Sequence, residues 1–448
     1  RDLDLTIDEP SSPRVAEGVP AQGDPEAPKG GILSHPVIKL ILSMVVLQGS
    51  LFLSGTLVFR GLGPEERGEA AMVTAAAAFW AHLAILGTPA ALLYFVSNRH
   101  LDSRRMLKML SWPMFWQATV CGVLACVTFV VLTDFGRTVN YFWIELFFIM
   151  VGIYLFNTGS LCLAALQGEH RFTAFAVVNA LPILIYALLV AVLFFSGWGN
   201  IPLYLTASSV GWAMVPVATW VSLRHRRTDA SDDIPTLSEV RKYGAKSAIA
   251  TAAPTDQFGI EQLIVGSMIG HKALGLWTAG WAFETATVLP GNLLAGFVAP
   301  VVASADPSQK KKMIWKWTTI SLVSALLICG VLNLLMDWLL PFVFGPDAQA
   351  AVTVAKILVL AGVFLGWRRV LGVSLQALGV PGLSTWAELA CFLSMVAGVL
   401  SLGMTHGLEG AAWGMVIGGV VGSVLQVVMI SKTKVIELSE SDPVTQVG

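Results

Sequence analysis

The chain has 448 residues, 55% apolar and 13% charged, with a formal net charge of −1. Soluble domains carry about 25% charged residues, so the composition excludes an ordinary water-soluble globule. The near-neutral balance also gives no basic footprint for nucleic acid.

Residues 1–34 are rich in Pro, Gly, Ala, Asp and Glu and poor in large apolar side chains. That is the composition of a disordered tail, and the stretch lacks the apolar core of a signal peptide. The chain then supplies about twelve apolar windows, each close to the roughly 20 residues that a helix needs to cross about 30 Å of hydrocarbon. Six are expected at 37–59, 70–97, 107–133, 140–166, 172–196 and 201–223, forming a lobe over 35–223. A polar linker, 224–242 (RHRRTDASDDIPTLSEVRK), follows, with a short amphipathic helix after Pro235. Its RHRR run serves either as a topology signal or as a contact for anionic lipid, and the KKK run at Lys310–Lys312 reads as a topology signal. Six more windows, at 243–269, 273–303, 314–336, 347–378, 382–403 and 409–430, form a second lobe over 243–430, and 431–448 is a second tail. Only helices and closed barrels satisfy their backbone in lipid, and these runs are too long and too uniformly apolar for barrel strands. The fold expected is an all-α membrane protein of about twelve transmembrane helices.

The two lobes repeat one another. Gly63 and Gly68 in GPEERGEA answer Gly270 and Gly275 in GHKALGLW at an offset of 207. Phe135-Gly136 answers Phe344-Gly345 at 209, and Gly168 answers Gly379 at 211. An ordered set of turn landmarks at near-constant spacing indicates duplication of a six-helix unit. Six spans is an even number, so both halves enter the membrane in the same sense, related by an axis along its normal. A cavity is expected between them.

Between spans, nineteen Lys and Arg residues fall on the side of the N-terminus, against Arg60, Arg67, Arg137 and Lys272 on the other. The positive-inside rule then puts both termini in the cytoplasm. Fifteen tryptophans are present; those near span ends, such as Trp112, Trp198, Trp315 and Trp338, read as interfacial anchors.

Several chemistries find no support. Cys121, Cys126, Cys162, Cys329 and Cys391 all lie within spans with no C-x-x-C pair and no histidine at ligand spacing, so they read as small apolar fillers and no metal site is expected. Gly244-Ala245-Lys246-Ser247 resembles only the tail of a phosphate-binding loop and lacks its upstream glycine. No cofactor is expected. The loops are too short to house a lipid-sugar polymerase or ligase, so the chain reads as a transporter and not an enzyme.

What remains are polar groups at membrane depth, where a central charge costs about 2.5–3.5 kcal/mol. Arg368 and Arg369 lie in the tenth span, roughly 13 Å of helix from its end. Adjacent residues point about 100° apart, so the two cannot both snorkel along one face, and at least one is expected to face a cavity. Paired guanidiniums suit a diphosphate; pairing with Glu388 or another buried acid is the alternative, and the two roles are compatible. Asp256 and Glu261 in the seventh span stand about 140° apart around a helix. Each either exchanges H⁺ or binds Na⁺ as a coupling ion, or makes a helix–helix bond. Glu284 and Glu145 are weaker versions of the same case, and His82 reads as a packing residue. Gln48, Asn157, Asn179, Gln262 and Gln376 are candidates for sugar hydroxyls, with helix packing as the alternative.

One resemblance covers residues 37–430. LVFRGLGPEERGEAAMV followed by LGTPAALLYF resembles the opening of Wzx-type polysaccharide flippases of the MOP superfamily. KYGAKSAIATAAPTDQFGIEQLIVGSMIGHKALGLWTAGWAF is similar to that family's seventh and eighth spans, with Glu261 where members commonly carry Asp; LQGEHRF and PFVFGPDAQAA match as well. The resemblance implies an alternating-access flippase of the bacterial inner membrane that moves undecaprenyl-diphosphate-linked oligosaccharide to the periplasmic leaflet for O-antigen, capsule or exopolysaccharide assembly. The residues supply a compatible mechanism, in which a cationic cavity opens alternately to each side, Arg368 and Arg369 hold the diphosphate and Glu261 or Asp256 couples the cycle to H⁺ or Na⁺. The partners implied are lipid-linked oligosaccharide and membrane lipids; a polysaccharide polymerase and a chain-length regulator stay open. Two rivals stand beside it. A multidrug exporter of the same superfamily would want acidic and aromatic groups in the cavity, and a lipid II flippase tends to have two further C-terminal spans.

Overall fold

The computed structural model describes residues 36–85, 87–98, 101–132, 141–224, 235–251, 255, 258–303 and 305–433. Twelve α-helices appear among them: α1 Pro36–Ile85, α2 Thr88–Asn98, α3 Ser103–Leu132, α4 Phe142–Gly168, α5 Phe172–Ser196, α6 Ile201–Ser222, α7 Leu237–Thr251, α8 Ile260–Met268, α9 His271–Ala303, α10 Pro307–Phe344, α11 Val352–Ala377 and α12 Pro381–Lys432. A short 3₁₀ turn, Pro346–Ala351, joins α10 to α11. No β-strand occurs among the described residues. Eight helical stretches among them are long and apolar enough to cross a membrane.

Helices and spans do not map one to one, and glycine explains the difference. α1 carries the first span and most of the second, broken at Gly63 (φ 76°) with Pro64 beginning the next segment, a proline where a helix start needs no N–H donor. α12 carries the eleventh and twelfth spans across Gly407, with φ 61° and ψ −142°. The seventh span, expected as one helix, is divided between α7 and α8, and α8 begins after Gly259 at φ 60°. Asp256, the tail 1–34, most of the RHRR run and Phe135-Gly136 lie outside the described residues.

The duplication is written in the backbone. After α4, His170 N–H donates to Gln167 O (3.0 Å) and Arg171 N–H to Leu166 O (3.0 Å); after α11, Gly379 N–H donates to Gln376 O (3.0 Å) and Val380 N–H to Leu375 O (3.2 Å). Every partner is displaced by 209 residues. This is the closing motif of a helix, with a left-handed residue just beyond the end. That residue is His170 (φ 58°) in the first copy and Gly379 (φ 81°) in the second. The counterpart of Gly379 is therefore His170 and not Gly168, which brings the offset from 211 to 209.

In the first lobe α4 packs against α3, α6 and α2, and α5 against α6; in the second α11 packs against α9, α10 and α12. α9 and α11 approach through small residues: a Cβ at Gly291 would overlap the Gly366 carbonyl, and one at Gly366 would sit 3.0 Å from the Val288 Cα. Without a hydrophobic drive between helices in lipid, such backbone proximity is what makes dispersion effective. The helix expected after Pro235 is α7. Its start carries a reciprocal cap, Thr236 N–H to Glu239 Oε2 (2.8 Å) and Glu239 N–H to Thr236 Oγ1 (3.3 Å). α7 lies on α2 of the first lobe, where Tyr94 and Tyr243 stack at 4.4 Å.

The lobes meet on the side that carries Arg60. Arg60 donates from Nε to Val343 O (2.7 Å) and from Nη2 to Phe342 O, capping the orphan carbonyls at the end of α10. Phe59 packs edge-on to Phe344 at 5.4 Å, and Phe52 to Phe283 at 5.4 Å. Interlobe packing at this face leaves room deeper between the lobes.

Candidate functional site

A cavity of about 480 Å³ lies between the lobes, walled by α1 and α5 on one side and by α8, α9, α11 and α12 on the other. Among the described residues its charged lining is two guanidiniums, Arg67 and Arg369, and two carboxyls, Glu261 and Glu284. Gln48, Ser54, Asn292 and three threonines, Thr255, Thr278 and Thr285, add neutral polar groups, and Phe52, Tyr186 and Trp281 add aromatic surface. Among the described residues the lining thus holds two cations and two acids.

Arg369 reaches the cavity from α11 and donates from Nη1 to Asn292 Oδ1 of α9. The α9–α11 contact at Gly291 and Gly366 sets this geometry, because it brings the residue after Gly291 within reach of the third residue after Gly366. The amide steadies a long side chain that would otherwise lose much rotamer freedom on binding. Arg368, one residue earlier, is turned elsewhere. It is 2% exposed, forms an ion pair with Glu388 of α12, and packs against Gly422, where a Cβ would sit 2.9 Å from its Cδ. It is not part of the cavity lining. Arg369 thus faces the cavity, and Arg368 makes the ion pair with Glu388.

Glu261 sits in the first turn of α8, 5% exposed, where the helix N-terminus favours a carboxylate. Gln262 Nε2 approaches its Oε1 at 3.4 Å, so Gln262 supports Glu261 and does not line the cavity. Glu284 of α9 is also 5% exposed; a Cβ at Gly362 would sit 3.0 Å from its Cγ. Gln48 lines the cavity. Asn157 is 2% exposed and lies inside the first lobe, away from the cavity lining. Gln376 is exposed near the end of α11 and is also absent from the lining. Glu145 is fully buried in the first turn of α4. His82 donates from Nδ1 to the Ala78 carbonyl (2.8 Å) and packs on Phe156.

Sequence reasoning misses Arg67 and Asn292. Arg67 reads only as a loop charge, although its place one residue before Gly68 puts it where the broken α1 turns inward. Asn292 carries no signal of its own; its partner lies on another helix.

A family model described as "Polysaccharide biosynthesis protein" matches residues 36–305. No curated protein matches the chain. Among solved structures, the chain is similar to an inward-facing multidrug resistance MATE family transporter of the MOP superfamily, at 16% identity and a TM-score of 0.66, covering 88% of this chain and 98% of that one. It is similar to the lipid II flippase MurJ in an inward closed conformation, at 13% identity and a TM-score of 0.69, covering 88% and 87%. It is also similar to the MATE multidrug transporter DinF-BH, at 18% identity and a TM-score of 0.62, covering 92% and 99%. These likenesses establish the fold: two six-helix lobes of the MOP transporter type.

Proposed function

Because this chain belongs to the polysaccharide biosynthesis protein family, we propose that it is a flippase carrying undecaprenyl-diphosphate-linked oligosaccharide from the cytoplasmic to the periplasmic leaflet of the bacterial inner membrane. The observation that carries the reading is Arg369, a guanidinium oriented by Asn292 and lining a cavity between two lobes. A forked donor that stays charged in a poorly hydrated site suits a diphosphate. Arg67 lines the same cavity from the other lobe, so an anion between them would bridge the lobes. The glycan occupies the cavity while the polyprenyl chain stays in the bilayer, and rocking of the lobes opens the site first to one side and then to the other. Both termini are cytoplasmic in this reading, and the Gly68–Gly275 face is periplasmic.

Glu261 is the coupling group in this account. It sits directly after the break between α7 and α8, so a change in its proton or Na⁺ occupancy acts where the chain is already discontinuous. The test is binding: undecaprenyl diphosphate titrated into the purified protein is expected to compete for a site that Arg369→Gln weakens at least about ten-fold, a loss of about 1.4 kcal/mol. Equal binding by both proteins counts against the assignment.

A second reading has its own observation. Glu261, Glu284 and Trp281 together line the cavity, a combination that suits an organic cation. In a multidrug exporter of this fold, cationic dye would bind and be released by protonation of the acids, while undecaprenyl diphosphate would not compete.

A further inference from the structure

A second hollow, sharing no residue with the interlobe cavity, lies beside the first lobe. A groove of about 480 Å³ runs between the end of α1, α3 and α7. Trp112 and Trp116 of α3 form one wall, 66% and 51% exposed. Leu83 of α1 forms the floor, and Arg241 of α7 stands at the rim nearest the basic face. We propose that this groove is a binding site for one anionic phospholipid, with its phosphate at Arg241 and an acyl chain laid along Trp116 and Val120.

Three observations support that occupant over others. The first is exposure. Trp112, Trp116 and Val120 (57% exposed) present apolar surface along one face of α3, where acyl chains would meet it. From Trp112 to Val120 is eight residues of helix, roughly 12 Å at 1.5 Å per residue, which spans much of one leaflet. The second is charge. Among the described residues no ion pair neutralises Arg241, and the neighbouring acid, Glu239, is engaged in capping its own helix at Thr236. Lys108 lies one turn before Trp112 on α3, and Arg104 stacks over Trp220 at 5.2 Å. A basic pocket between transmembrane helices at the cation-rich face recognises anionic headgroups. The third is the polar group in an otherwise apolar wall. Gln117 lines the groove between the two exposed tryptophans and Val120, and its amide offers a hydrogen bond to the ester linkage of a glycerolipid.

A lipid in this groove would also bear on how the lobes are joined. α7 is the segment that leaves the first lobe and leads into the second, and it is held on α2 by the Tyr94–Tyr243 stack. A lipid wedged between α3 and α7 adds to that hold from the other side.

The experiment uses the full chain in bilayer discs of dioleoyl phosphatidylglycerol and dioleoyl phosphatidylcholine in equal parts, with retained lipid read by native mass spectrometry after release. Phosphatidylglycerol adducts are expected to exceed phosphatidylcholine adducts. Arg241→Gln should reduce the excess about five-fold, the equivalent of about 1 kcal/mol for one basic residue at an anionic surface. Arg241→Lys should retain it, and Lys312→Gln, on the same face outside the groove, should leave it unchanged. A phosphatidylglycerol carrying a photoreactive acyl chain should label the peptide 112–121, which locates the site even where Arg241→Gln folds poorly. Equal retention of the two lipids, an unchanged excess in Arg241→Gln, or labelling confined to other helices would overturn the proposal.

Discussion

Gly68 and Gly275, related by the internal repeat at an offset of 207, touch across the boundary between the lobes. A Cβ at Gly68 would overlap the His271 carbonyl and sit 2.9 Å from the Gly275 nitrogen, and a Cβ at Gly275 would overlap the Pro64 carbonyl. The two copies of one turn thus form a backbone-to-backbone contact at the face that carries Arg60, and only glycine allows that approach. Arg60 and the Phe59–Phe344 contact reinforce it.

Closure at this face therefore depends on the absence of two side chains. Gly275→Val should hold the lobes apart there, at a cost to the closed state of about 1–3 kcal/mol from overpacking. Spin labels on the two turns should report a longer distance, and transport should fall by at least about ten-fold with insertion unchanged. A native distance distribution in Gly275→Val would show that the contact does not limit closure.

The adjacent arginines should respond differently to substitution. Arg368→Gln leaves Glu388 without its partner, and breaking a buried pair costs about 3–5 kcal/mol, so the thermal midpoint in detergent should drop sharply. Replacing both partners, as in Arg368→Leu with Glu388→Leu, should restore stability and transport together. Arg369→Gln should leave the midpoint near that of the natural protein and still lower transport at least about ten-fold. Recovery of transport only when Arg368 is present would place it in the binding machinery instead.

Glu261→Gln should uncouple transport without stopping it. In proteoliposomes, movement down a substrate gradient should persist, and acceleration by an imposed H⁺ or Na⁺ gradient should vanish. Continued acceleration by both ions would remove Glu261 from the coupling step.

The hold on α7 is measurable by hydrogen exchange. Tyr243→Ala removes a stacked aromatic pair worth about 0.5–1.5 kcal/mol, so amides of residues 237–245 should exchange about 2–10-fold faster. Unchanged exchange would mean that α7 is held by its other contacts with α2.

The twelve spans and their duplication are legible because lipid imposes length and uniform apolarity, and because turns that need a left-handed residue leave glycines at fixed places. Gly63 and Gly270 both show positive φ, as the repeat requires. The same logic fails where the left-handed residue is not glycine: His170 occupies that position in the first copy, so the landmark reads two residues early, at Gly168. The break before α8 is hidden for the opposite reason, since Gly259 stands in an apolar run long enough for an unbroken helix. Within the site, helix geometry separates Arg368 from Arg369, but not which one meets an acid; Glu388 lies on α12, and pairing across helices is invisible to spacing along one. Arg67 escapes notice because a charge near a turn reads as topology until α1 is seen to bend inward at Gly63.

The most direct test is movement of a fluorescent undecaprenyl-diphosphate oligosaccharide across proteoliposome membranes by the natural protein and by Arg369→Gln. Flipping by the natural protein is expected to fall at least about ten-fold in the variant, with Arg369→Lys between them because it keeps the charge and loses the fork. No flipping by the natural protein, together with extrusion of a cationic dye that depends on Glu261 and Glu284, would contradict the flippase reading and favour the exporter.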